Sequence, residues 1–337
     1  MSSVSDVGSS GDPGPHRPGA GRPSLAPAFA IAALILALSF TRPWWQELFA
    51  TRQGVAAWFT VFVSLSLQAL PFLVLGTVLS SAIAVLVPAD ALSRLLPRRS
   101  AAAVPVAGLA GVVLPGCECA SVPIAGSLVD RGLKPAVAFA FLLAAPAINP
   151  IVLVSTAVAF NGDLRVVLAR FVASLLISVI VGWIWLRLGR DDLIRMPRRH
   201  VHGGSRLAQL VAAARHDFLH AGGYLVLGAA IAATVNVALP TSWLTALGSN
   251  LVVAVLVLAV FAVVVAVCSE ADAFVAASLN AFPATAQLVF MCVGPAVDVK
   301  LFSMQVGTFG RRFAVVFAPL TLGVAIVVAS IVGTVLL

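Results

Sequence analysis

Residues 135–160 read PAVAFAFLLAAPAINPIVLVSTAVAF, an apolar stretch that contains no charged side chain. Runs of about 18 or more apolar residues are typical of membrane-spanning helices, because the hydrocarbon core of a bilayer is about 30 Å thick. Other apolar runs follow along the chain, and none alternates with period two as a strand of a membrane β-barrel would. The sequence therefore predicts an all-α polytopic membrane protein.

The composition agrees with this prediction. Hydrophobic residues make up 61% of the 337 positions and charged residues only 10%, whereas soluble domains contain about 25% charged residues. The net charge is +8, but the basic residues cluster in short loops between apolar runs, as the positive-inside rule predicts. We therefore expect membrane lipid and a small solute or ion as partners, no nucleic acid, and a homo-oligomer as an open alternative.

The second half of the chain resembles the first. Residues 72–118 align without a gap on residues 224–270, so that Glu118 meets Glu270, and after a three-residue deletion Asn149 meets Asp298. Each half then holds three long apolar elements and two short ones. The long ones are 64–87, 135–160 and 164–188, then 216–239, 284–307 and 312–335; the short ones are 101–116 and 119–130, then 250–267 and 271–281.

Charged loops predict the orientation of the two halves. The first-half loops before and after the short elements carry Arg94, Arg98, Arg99, Arg131 and Lys134, whereas the matching loops 240–250 and 282–284 carry neither Lys nor Arg. The last loop of each half shows the opposite bias, with Asp163 in the first and Arg311-Arg312 in the second. Loops that change sides predict an inverted-topology repeat, with broken helices and one re-entrant-type hairpin of short elements in each half.

This pattern divides the chain into five parts. Residues 1–24 are rich in Ser, Gly and Pro and are expected to form a disordered cytoplasmic tail. Residues 25–60 contain one extra N-terminal span and an outer loop. Residues 61–190 form the first repeat, 191–206 a basic cytoplasmic linker, and 207–337 the second, inverted repeat. The expected location is the inner (plasma) membrane, with the N-terminus in the cytoplasm.

Four acidic residues lie deep in apolar segments: Glu118, Glu270, Asp272 and Asp298. A charge at the bilayer centre costs about 2.5–3.5 kcal/mol, so such residues pair, carry protons or line polar pathways. Glu118 and Glu270 stand at matching hairpin turns and are candidates for proton or ion binding. The alternative is that they cap the short helices that follow, because a helix N-terminus attracts carboxylates. For Asp272, inside its helix, the cap interpretation is favoured.

Asn149 and Asp298 stand in matching proline-containing stretches, APAINP and GPAVDVK, with Pro146 and Pro295 three residues before them. Proline removes a backbone donor and disfavours helix at the preceding residue, which frees carbonyl groups for an ion or a substrate. These positions are therefore expected to line the pathway, with Lys300 as a counter-charge for Asp298.

Cys117 and Cys119 flank Glu118 in the stretch PGCECASVPIAG. In an extended segment both sulfurs would face one side, with Glu118 on the other. The second half has Ser269 and Ala271 at these positions, so the thiol pair is not part of the repeat. Three interpretations stay open: transient contact with a soft substrate, a structural zinc site, which the lack of neighbouring histidines disfavours, and packing as small buried hydrophobes.

Four segments in order resemble signature segments of a bacterial predicted-permease family that includes the organoarsenical efflux permeases. They are GCECASVP (116–123), LKPAVAFAFLLAAPAINPIV (133–152), CSEADAFVAASL (268–279) and AQLVFMCVGPAVDVKLF (286–302). The resemblance covers roughly residues 60–310 and implies an integral membrane permease. Members of the arsenical branch have a cysteine-rich first motif, whereas this chain has Glu118 between its two cysteines.

The residues and the resemblance together predict a proton- or ion-coupled secondary transporter of a small solute, with a thiophilic metal or metalloid species as one candidate. The alternatives are a channel or membrane subunit of a transport complex, and a membrane-embedded enzyme that acts on a lipid-linked substrate. The chain contains no phosphate-binding P-loop, zinc-protease helix motif or nucleophile elbow. We therefore expect no enzymatic activity, and the sequence implies no cofactor.

Overall fold

The computed structural model describes residues 52–86, 97, 99–113, 117–195, 206–238 and 250–337. Helices and the turns between them account for these ranges, which contain no β-strand. The predicted tail (1–24) and the predicted first span (Ala26 to Phe40) lie outside the described residues, as do parts of the loops 88–100 and 240–250 and of the linker 191–206.

Twelve α-helices and one short 3₁₀ helix make up the described part of the chain. The first half contains α1 (Arg52–Leu86), α2 (Ser100–Ala110), α3 (Glu118–Asp130), α4 (Pro135–Ile148), α5 (Pro150–Ala159) and α6 (Leu164–Leu188). After the 3₁₀ turn Asp191–Leu193, the second half contains α7 (Arg206–Ala238), α8 (Leu251–Val265), α9 (Asp272–Ser278), α10 (Ala284–Ala296), α11 (Val299–Phe309) and α12 (Arg311–Leu336).

Six helical segments within the described ranges are long and apolar enough to cross a membrane. They are Gly54–Leu86, Pro135–Ala159, Leu164–Leu188, Leu207–Val237, Ala284–Phe309 and Arg311–Leu336. These are the three long elements expected in each half, while α2, α3, α8 and α9 are short. Large apolar side chains such as Leu67, Val154 and Val335 are exposed on the outside, as lipid contact requires. The predicted all-α polytopic membrane fold is confirmed.

Two of the six spans are interrupted at matching places. Asn149 has extended backbone (φ −68°, ψ 157°) between α4 and α5, and its side chain accepts a hydrogen bond from the Val152 amide. Asp298 is likewise extended (φ −139°, ψ 171°) between α10 and α11, and it accepts from the Leu301 amide. Each side chain thus caps the half-helix that follows it. The interruptions fall where the proline-containing stretches predicted them.

The long helices α1 and α7 pack against each other, and each holds a half-helix or short helix of the core. Gly76 of α1 lies directly on the backbone of Ala120 in α3. Gly228, its counterpart on α7, lies on α11, where an added Cβ would come within 2.8 Å of the Lys300 Cα. Glycine allows these backbones to approach closely. The two contacts position the segments that carry Glu118 and Lys300.

Candidate functional site

A buried ion pair joins the two halves of the protein. Glu118 is the first residue of α3 and Lys300 the second residue of α11, and both are almost completely buried. The Lys300 ammonium pairs with Glu118 Oε1 and lies 3.6 Å from Cys268 Sγ. Lys300, predicted as a counter-charge for Asp298, forms its ion pair with Glu118, while Asp298 Oδ1 caps α11.

Three thiols surround this ion pair, and Cys117, Cys119 and Cys268 are here called the thiol cluster. Cys268 Sγ lies 4.0 Å from Glu118 Oε1. The sulfurs of Cys117 and Cys119 and a Glu118 carboxylate oxygen all lie within 4.8 Å of one another. The sulfurs therefore lie together as expected, but Glu118 lies with them rather than on the opposite side.

The local backbone explains that difference. Cys117 is extended (φ −82°, ψ −179°) and precedes α3, whereas Glu118 and Cys119 already belong to the helix. The extended geometry assumed for the whole motif applies only to Cys117. A helix that begins at Glu118 turns the carboxylate and the second thiol toward the same interior region.

A second buried ion pair also joins the halves. Arg170 of α6 binds Asp272 Oδ2 at 2.7 Å, and it donates further hydrogen bonds to Thr156 Oγ1 at 2.9 Å and to the Ser269 carbonyl at 3.2 Å. Asp272 is the first residue of α9, where the helix dipole favours a carboxylate. The negative charge of Asp272 is therefore stabilised both by the start of α9 and by Arg170.

The site contains several acceptor atoms without donors. Within the described residues, one oxygen each of Glu118, Asp272 and Asp298, both carboxylate oxygens of Glu270 and the Ser269 hydroxyl are buried without a hydrogen-bond partner. Leaving such atoms unpaired costs about 1–3 kcal/mol each, and more for charged groups. Four carboxylates here face two basic side chains, so the site has more buried acid than base and is suited to hold protons or cations.

The predicted pathway residues fall into two groups. Glu118, Lys300, Cys117 and Cys119 meet directly, whereas Asn149 and Asp298 cap the half-helices α5 and α11. Pro146 and Pro295 lie inside α4 and α10, three residues before each interruption. The short helix of each half packs on the half-helix of the other, α3 on α11 and α9 on α5.

Two members of the site, Arg170 and Cys268, were not among the predicted pathway residues, although Arg170 was expected either to pair with polar groups or to extend toward the membrane surface. Arg170 lies in the interior of the apolar run 164–188, whose other basic residues, Arg165 and Arg187, stand near its ends, and a charge inside such a run signals a buried acidic partner. Cys117 aligns with Ser269 in the second half, one residue after Cys268. An alignment of the halves therefore does not identify Cys268 as a counterpart of Cys117.

Residues 54–335 match the family described as "Predicted permease". The chain belongs to this predicted-permease family. The permease is 37% identical over 279 residues to the UPF0718 protein YcgR of Bacillus subtilis, an alignment that covers 80% of this chain and 94% of YcgR.

A second relative bears on function through its name. The permease is 31% identical over 282 residues to a Streptococcus mutans protein named "Putative two-component membrane permease complex subunit", with coverage of 81% of this chain and 94% of that protein. No solved structure matches the permease significantly. The family and the six candidate spans establish a multi-pass membrane permease, and its relatives favour transport over catalysis.

Proposed function

We propose that the permease is a secondary transporter, driven by a proton or ion gradient, that carries a small solute through the plasma membrane. The Glu118–Lys300 pair is the observation that carries this proposal, because it places opposite charges from the two halves beside an interrupted helix. Secondary transporters bind their substrates and coupling ions where interrupted helices of two repeats meet. The excess of buried acid over base supplies the charge for a coupling proton or cation.

Alternating access requires the two halves to move against each other, and an inverted repeat provides that movement. Two features support the inverted-repeat proposal for the permease: the matching interruptions at Asn149 and Asp298, and the reciprocal packing of short helices on half-helices. Single cysteines placed at Ser100 and Ser249 should react with a membrane-impermeant maleimide from opposite sides. Reaction of both from one side would remove the inverted repeat.

The transport proposal is tested with the purified full chain in proteoliposomes. An imposed proton or sodium gradient should drive accumulation of a solute identified by comparing metabolite and metal contents of wild-type and deletion cells. Collapse of the gradient by an ionophore should abolish accumulation. Flux that persists unchanged after collapse would identify a channel and refute secondary transport.

A second candidate is the membrane subunit of a larger transport complex, which the name of the S. mutans relative favours. Affinity purification of the permease from its own membranes tests it. Copurification of a stoichiometric partner, together with flux that appears only when that partner is added, would support the subunit role. Full flux by the permease alone would contradict it, and light scattering of the same sample would show whether the chain forms homo-oligomers.

A further inference from the structure

We infer that Cys117, Cys119, Cys268 and Glu118 form a binding site for a thiophilic divalent cation such as Zn²⁺ or Cd²⁺. The cation would be the transported substrate, a role that rests on the proposed transport function. The binding site itself is a separate claim and is tested without transport.

The donor atoms are already close to a metal-binding arrangement. A Zn–S bond of about 2.3 Å places the ligand atoms of a tetrahedral site about 3.8 Å apart. The sulfurs of Cys117 and Cys119 and a Glu118 oxygen lie within 4.8 Å of one another, and Cys268 Sγ lies 4.0 Å from Glu118 Oε1. A contraction of about 1 Å or less would bring these two sulfurs and the oxygen to tetrahedral positions, and the Cys268 thiol beside Glu118 would supply the fourth of the ligands that Zn²⁺ prefers.

Lys300 leaves the Glu118 carboxylate available to such a cation. The ammonium pairs with Oε1, while Oε2 is buried and has no hydrogen-bond partner within the described residues. The carboxylate is thus anchored on one side and has an acceptor oxygen left on the other. Metal-binding side chains are commonly held in this way by a second group that orients them.

The types of donor atom determine which cations fit. Thiol-derived sulfur selects soft and borderline metals, whereas Mg²⁺ and Ca²⁺ prefer sites made of oxygen atoms. Cys117 and Cys119 belong to the first half and Cys268 to the second, so a bound cation would join the two halves. Since the cluster is fully buried here, the cation would enter when the halves separate, which is the movement that alternating access requires.

Packing of small hydrophobic side chains is the competing explanation, and the chain contains a matched control for it. Cys292 is also fully buried, but it lies outside the thiol cluster, and its thiol is 3.6 Å from the Ser174 hydroxyl. A metal site requires the three clustered thiols but not Cys292, whereas packing alone predicts similar effects for substitution of any of the four cysteines.

Cadmium titration of the purified full chain in detergent, with a phosphine reductant, distinguishes the two explanations. The wild-type protein and Cys292→Ser should each bind one Cd²⁺ with the ultraviolet absorption of cadmium–thiolate bonds, and Zn²⁺ but not Mg²⁺ should displace it. Cys268→Ser and Glu118→Gln should each weaken binding by about tenfold or more. Bound Cd²⁺ should also protect the three clustered cysteines of the wild type from alkylation, read by peptide mass spectrometry, and leave Cys292 unprotected.

A wild-type protein that binds no stoichiometric Cd²⁺ and shows no selective protection overturns the inference, as does equal weakening by Cys292→Ser and Cys268→Ser. Unchanged binding in Glu118→Gln also contradicts it, because the site then lacks its oxygen ligand. Binding without gradient-driven flux would leave the metal site intact and refute the transporter. Gradient-driven flux of another solute without Cd²⁺ binding would support the transporter and refute the metal site.

Discussion

Replacement of Lys300 by methionine should destabilise the permease strongly. The side chain is fully buried, and its ammonium pairs with a Glu118 carboxylate that is also buried. Lys300→Met preserves most of the apolar stem but leaves the Glu118 charge without its partner in a low-dielectric interior. Removal of one member of a buried ion pair costs about 3–5 kcal/mol, which shifts the folding equilibrium by roughly a hundredfold or more.

Removal of both charges should recover most of that loss. In Glu118→Gln/Lys300→Met no unpaired charge remains, and replacement of a whole buried pair by neutral side chains is often neutral or stabilising. Equilibrium unfolding in mixed micelles, followed by circular dichroism as the fraction of denaturing detergent rises, would measure both variants. Lys134→Met is the control, because Lys134 is exposed and its side chain makes no capping hydrogen bond. If Lys300→Met is as stable as the control, or if the double variant is less stable than Lys300→Met, the proposed role of the ion pair is refuted.

Three further predictions concern neighbouring groups. Glu270→Gln should leave folding intact and abolish gradient-driven flux in proteoliposomes, because it removes a buried charge that makes no hydrogen bond with a described residue; undiminished flux would exclude Glu270 from coupling. Gly228→Ala should lower the free energy of unfolding by about 1–3 kcal/mol through overpacking. Gly223→Ala is the control, because a Cβ added at Gly223 has no neighbouring atom within 4 Å, and it should leave stability unchanged. Equal effects of the two substitutions would contradict the close approach of α7 to α11. Arg170→Leu should cost about 3–5 kcal/mol and should be largely rescued by adding Asp272→Asn, so a double variant with no recovery would count against the second ion pair.

Glu118 and Glu270 should respond differently to replacement by glutamine. The sequence alone predicts that Glu118→Gln and Glu270→Gln behave alike, because the two residues occupy equivalent places in the repeat. In the structure Glu118 balances Lys300, whereas Glu270 has no such partner within the described ranges. Glu118→Gln therefore leaves a buried ammonium without its carboxylate and should lower stability as well as flux, while Glu270→Gln should affect flux alone.

The spans and their interruptions were predictable because they depend on local properties of the chain. Hydropathy over about 20 residues determines whether a helix can cross a bilayer, and the proline-containing stretches around Asn149 and Asp298 mark where a helix is interrupted. The buried acids were predictable for a similar reason, since a carboxylate in an apolar segment stands out against its neighbours.

The partners of those acids depended on contacts between helices that are distant in the chain. Lys300 is two residues from Asp298 and far from Glu118 in sequence, yet the close contact of α7 with α11 at Gly228 and the packing of α3 on α11 bring it to Glu118. The same packing brings Cys268 to Glu118, beside Cys117 and Cys119, and pairs Arg170 with Asp272 across the two halves. Which charges and thiols meet is a property of the packed helices, because an ion pair or a metal site needs atoms within a few ångströms, and the order of residues along a chain does not specify such distances.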